Sequence, residues 1–178
     1  MKKRLVILIF SLIILTALFF RVRSSLPTVR VEGESLRWED FSAHRSGLLR
    51  FRDLNKENVS DKEVEEGVIV AFIQDVLVKK ELERRGRGEE DARQIVMDEL
   101  GEEKLKEVED ATGQLYGWTL EDFEKYILLP QARRMLLAQE FAGEENPDEW
   151  LEKSFNEAKI SVYLLRWKWN DGELKERF

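Results

Sequence analysis

The chain contains no cysteine and a single histidine, His44. The first absence excludes a disulfide framework, a thiol nucleophile and a lipid-modified N-terminal cysteine. The second leaves no basis for a histidine metal site or a Ser-His-Asp triad. His44 sits between Ala43 and Arg45 on an expected helix and reads as partly exposed, with no catalytic role. There is no Gly-rich phosphate loop, because Gly86 and Gly88 flank only Arg87 and follow a helix, not a strand. The acidic groups Glu63, Glu65, Glu66 and Glu144, Glu145 lack the alternating ligands and central glycine of a calcium loop and read as solvated faces. With no nucleophile–base pair and no metal constellation, neither enzyme chemistry nor a cofactor is expected.

What is present is charge and apolar bulk. Of 178 residues, 43% are hydrophobic and 37% charged, a balance that suits a helix-rich globular protein. The formal net charge is −7, and Met1–Arg23 holds five basic residues and no acidic one, so the remainder carries −12. A body that acidic is poorly suited to nucleic acid, whose binding rests on phosphate neutralisation.

The stretch Val64–Arg85 organises the rest. Val64, Val68, Phe72 and Val76 recur every four residues, with Ile69, Ile73 and Leu77 in the adjacent row. Between Val68 and Val78 only Gln74 and Asp75 are polar, so the helix is apolar nearly all round and must be buried on several sides. Ser60 and Glu63 predict a capping box at its start, and Gly86 a left-handed cap at its end.

Leu5–Phe20 has only Ser11 and Thr16 as polar interruptions. As a helix it covers about 24 Å, and Val22 with a snorkelling Arg21 extends it toward a ~30 Å hydrocarbon core. Three readings compete: an uncleaved transmembrane anchor, a cleaved signal peptide, or a misread soluble helix. The anchor is favoured, because the run ends in Leu18, Phe19, Phe20 and Arg21 without a small-x-small site. Lys2, Lys3 and Arg4 then place the N-terminus in the cytoplasm and the main domain outside it. Residues 1–23 are thus a basic stub and anchor, 24–27 a linker, 28–169 the helical body and 170–178 a polar tail.

Within the body, Thr28–Glu32 alternates as a short strand and Leu36–Phe51 reads as a helix despite Gly47. Glu89–Leu100 forms a helix closed by Gly101, followed by a weaker one over Glu102–Leu115. Thr119 caps a helix over Leu120–Phe141, in which Pro130 predicts a kink that either shapes a groove or is absorbed by packing. Asn146-Pro147 opens a helix to Ala158. Ile160–Trp169 reads as one strand, apolar on both faces, that pairs with Thr28–Glu32. The fold class is therefore mainly α, with two short terminal strands paired. Tyr163, Trp167 and Trp169 have two competing uses, as a client-binding surface or as the covered face of a core strand.

Val31-Glu32-Gly33-Glu34-Ser35-Leu36-Arg37-Trp38-Glu39-Asp40-Phe41 resembles the opening strand and helix of the SurA-type chaperone domain, usually V-N-G-x-x-I-x-x-x-x-F. Lys79-Lys80-Glu81-Leu82-Glu83-Arg84-Arg85-Gly86 is similar to the end of that family's long helix. Tyr116-Gly117-Trp118-Thr119-Leu120-Glu121-Asp122-Phe123, with Pro130 seven residues on, resembles a later helix. Glu32 replaces the usual Asn and Ser35 a common Pro, and no segment remains for the prolyl-isomerase domain many such proteins carry. The resemblance implies a bacterial, extracytoplasmic chaperone that holds unfolded or newly exported chains, here tethered to the lipid bilayer through Leu5–Phe20. A separate prolyl isomerase is a further possible partner. The alternative is a membrane-anchored scaffold for one envelope partner.

Overall fold

A computed structural model describes residues 25–142 and 146–178. The expected anchor, Leu5–Phe20, lies outside them; among the described residues no helix is long and apolar enough to cross a membrane. The chain begins with a hairpin, β1 (Pro27–Val31) and β2 (Glu34–Arg37). Glu32 and Gly33 form its two-residue turn, both at positive φ (49° and 96°), the backbone that a right-twisted hairpin favours. The expected helix over Leu36–Phe51 therefore starts later, because Leu36 and Arg37 are held in the ladder opposite Val29 and Pro27.

Helices follow: α1 (Trp38–Asn55), α2 (Asp61–Arg84) and α3 (Glu89–Leu115). Next come α4 (Leu120–Phe123), a π turn (Glu124–Leu128), α5 (Leu129–Glu140) and α6 (Pro147–Glu157). The capping box of Ser60 and Glu63 is formed. At the other end of α2 Gly86 adopts φ 81°, and the Arg87 N–H donates back to the Leu82 carbonyl at 2.8 Å, closing a Schellman motif. Gly101 leaves helical geometry and divides α3 where the sequence predicts a stop.

The core is built on α2. Val68, Ile69, Ile73, Val76 and Leu77 pack with Val29, Val31, Leu36 and Phe41, while Val78 and Leu82 pack with Leu136, Leu137 and Phe141. A third cluster joins Ala92 and Val96 of α3 to Leu129 and Ala132 of α5.

The two ends of the body do pair. β3 (Ile160–Val162) lies antiparallel to β1, with Val29 opposite Val162, giving the order β2-β1-β3. The single strand expected over Ile160–Trp169 is corrected to two. The chain turns at Leu164–Trp167, where the Trp167 N–H donates to the Leu164 carbonyl at 3.1 Å, and β4 (Trp167–Asn170) starts afresh. The expected polar tail is also corrected: Glu173–Glu176 is β5, paired with β4 across Asp171-Gly172, again both at positive φ.

Gly47 is required by a close approach. A Cβ there would lie 2.0 Å from the Trp118 ring, whose Nε1–H donates to the Ala43 carbonyl at 2.9 Å. At Gly67, also inside a helix, a Cβ meets nothing within 4 Å. Opposite effects follow in urea unfolding. Gly47→Ala is expected to cost about 1–3 kcal/mol by overpacking, and Gly67→Ala to stabilise by about 0.5–1 kcal/mol through helix propensity.

Candidate functional site

Gly67 and Ala71 stand one turn apart on α2, and both are exposed. Where this helix should be covered, two small side chains leave room, and a groove of about 310 Å³ opens above them. His44 and Leu48 of α1 form one wall, and Tyr126, Ile127 and Pro130 form the other. Phe72 closes the apolar floor. Gln74, Asp75, Lys125, Gln131 and Arg134 supply the polar contribution. A mostly apolar concavity with a few polar groups has the composition of a binding site for apolar side chains.

The second wall depends on the π turn. The Leu129 N–H donates to the Glu124 carbonyl, five residues back, and Pro130, which has no N–H to give, follows directly. The wider turn accommodates the missing donor within a continuing helical path, and it carries Tyr126 and Ile127 on the groove side.

An aromatic stack fixes this wall to α1. Tyr126 lies flat on the His44 imidazole at 4.7 Å between ring centroids, and Trp118 meets His44 edge-on at 5.6 Å. Tyr116 continues the stack from Trp118 to Phe51. Lys125 is ion-paired to Asp40 of α1. His44 is therefore only 8% exposed, correcting the partly exposed position expected for it. Its cover comes from residues more than seventy positions away. Burial pulls the imidazole down to about 4. Burial also raises the Tyr126 phenol above its ordinary value, with the Asp40 and Asp122 charges adding to the effect.

A second, polar cavity of about 260 Å³ adjoins the groove through Asp75 and Lys125. Its centre is Arg133 of α5, which donates through Nη1 to both Asp75 oxygens at 2.7 Å and through Nη2 to Glu89 at 2.6 Å. Burial pushes the Asp75 carboxyl above the usual carboxylate range against the pull of Arg133. Burial also works against the Arg133 charge, yet Asp75 and Glu89 together hold it above its ordinary value. This network ties α2, α3 and α5 together behind the groove.

The three aromatic residues read from sequence as client-binding do not line this groove. Trp167 is 2% exposed in the main core, with its Nε1–H facing Glu65 at 3.4 Å. Trp169 is half-buried, edge-on to Phe155 of α6, and Tyr163 is exposed after β3. The groove residues escaped the sequence reading because three elements must converge to form it. The available signal was Gly67 and Ala71, small residues at helical spacing in an otherwise bulky helix. Compared with known proteins, the chain matches no family model, no curated protein and no solved structure.

The buried imidazole makes stability depend on pH. In the unfolded chain His44 titrates near its ordinary value of about 6.5, so on acidification the unfolded state takes up the proton first. The contribution of neutral His44 is complete above that value and is lost as pH falls toward about 4. Between pH 7 and pH 5 the expected loss is about 2 kcal/mol. His44→Phe, which keeps a flat ring against Tyr126, is expected to abolish that component in urea titrations at the two pH values.

Proposed function

We propose that the chain is a membrane-anchored, extracytoplasmic protein of the SurA-type chaperone kind that binds unfolded or extended polypeptides. The observation that carries this reading is the apolar groove between α1, α2 and the π turn, floored by Gly67, Ala71 and Phe72. Its mechanism is reversible burial of client side chains without covalent chemistry. One well-buried Leu or Phe contributes about 1.5–3 kcal/mol, a strength that permits release as well as capture. Gln74 and Gln131 can each donate to and accept from the backbone of an extended chain, which recognises a peptide without demanding a sequence. The body's net −12 keeps it soluble and favours basic clients. The run Leu5–Phe20, flanked by Lys2, Lys3 and Arg4, supports the tether and its orientation.

Filling the groove tests this reading without emptying the core. Gly67→Trp places a ring where a Cβ has open space, and removing a helical glycine offsets strain. Residues 24–178 are expected to suppress aggregation of two unrelated unfolded proteins at modest molar excess. Gly67→Trp is expected to lose that activity while unfolding cooperatively at a similar urea midpoint. Suppression of neither client by the folded parent fragment, with saturable capture of one membrane partner, would replace the chaperone by the scaffold.

A further inference from the structure

Eight large apolar side chains are exposed among the described residues, and four of them belong to segments linked at one end of the sheet. Leu26 is 52% exposed at the start of β1, Tyr163 is 53% exposed after β3, and Leu165 is 85% exposed in the turn before β4. The Tyr163 N–H donates to the Thr28 carbonyl at 2.8 Å, which carries the β1–β3 ladder one residue beyond Val29 and Val162 toward Leu26. Phe178 is exposed beside Arg177, whose N–H donates to the Arg166 carbonyl at 2.8 Å, next to Leu165. Arg37, exposed and opposite Pro27, adds a basic group at the same end. Leu54, Val59, Met97 and Leu115, the other four, lie on α1, on the α1–α2 connection and on α3.

The chain enters the body at this end. Leu26 lies six positions after Phe20, the last of the apolar run, so the two are at most about 22 Å apart even when fully extended. If Leu5–Phe20 spans a bilayer, as the proposed function holds, this end of the body is confined near the lipid surface. Leucines, a tyrosine, a phenylalanine and an arginine are the residue types that suit the headgroup boundary. We infer that Leu26, Tyr163, Leu165 and Phe178 form a membrane-contacting edge that seats the body on the lipid interface. At an anionic surface the body's net −12 opposes the few arginines at this edge, so the contact rests on apolar insertion rather than on charge. The groove then has a fixed orientation relative to the membrane.

The absence of cysteine makes the test clean. The full chain carrying Leu165→Cys, labelled with an environment-sensitive fluorophore, is inserted into phosphatidylcholine vesicles with or without lipids spin-labelled near the headgroup. A second sample carries the label at Met97→Cys on α3. The expected result is blue-shifted emission at position 165, quenched by the spin-labelled lipids, and aqueous, unquenched emission at position 97. Adding anionic lipid is expected to leave the difference unchanged. If the chain resists alkaline extraction from the vesicles but both positions report water, the seating is wrong and the anchor stands. If the chain is extracted, anchor and seating fall together.

Discussion

A helix that is apolar nearly all round must be covered over most of its surface, and α2 imposes that constraint on the body. Its two apolar rows pack together against the sheet and α1 in one cluster, while Val78 and Leu82 further along carry a second cluster with Leu136 and Leu137 of α5. Charge collects at the two ends of α2. Asp61 is held by Arg45 and Arg52, and Glu81 by Arg84 and Arg85. Ion pairs at the solvated ends of a helix add little stability individually; the limits themselves are set by the Ser60–Glu63 capping box and the Gly86 turn. The groove arises where this covering is incomplete, because Gly67 and Ala71 offer the neighbours nothing to pack upon.

The walls of the groove are held by interactions of different kinds. On one side the aromatic stack of His44, Tyr126 and Trp118 joins α1 to the π turn, and Gly47 lets the indole approach the helix backbone. Behind it, Arg133 ties α2 to α3 and α5 through two carboxylates. Breaking a buried pair of this kind leaves an uncompensated charge, so the network fixes geometry even where its net stabilisation is modest. A binding surface needs such support if its shape is to persist without a ligand.

Local chemistry was the legible part of the sequence. The caps at Ser60, Thr119 and Asn146, the stop at Gly86 and the break at Gly101 each depend on a few adjacent residues, and each is where it was expected. The β4–β5 hairpin was missed although Asp171-Gly172 is a strong two-residue turn signal; the flanking strand is short and mostly polar, which gave it the look of a tail. Pro130 predicts an interruption of the helix, and it takes the form of a π turn just upstream, which the proline alone does not specify. His44 was misjudged because burial at that position is decided by Trp118 and Tyr126, far away in sequence. The groove was illegible for the same reason.

The central claim is that extended polypeptide enters the groove between α1, α2 and the π turn. The most direct measurement is NMR shift mapping on isotope-labelled residues 24–178 during titration with an unfolded client. The account predicts that saturable shifts concentrate at Leu48, Ala71, Phe72 and Ile127, with the Tyr126 ring responding, while Leu165 and Trp169 stay unperturbed. Shifts confined to Tyr163, Leu165 and Trp169, with the groove silent, would contradict it.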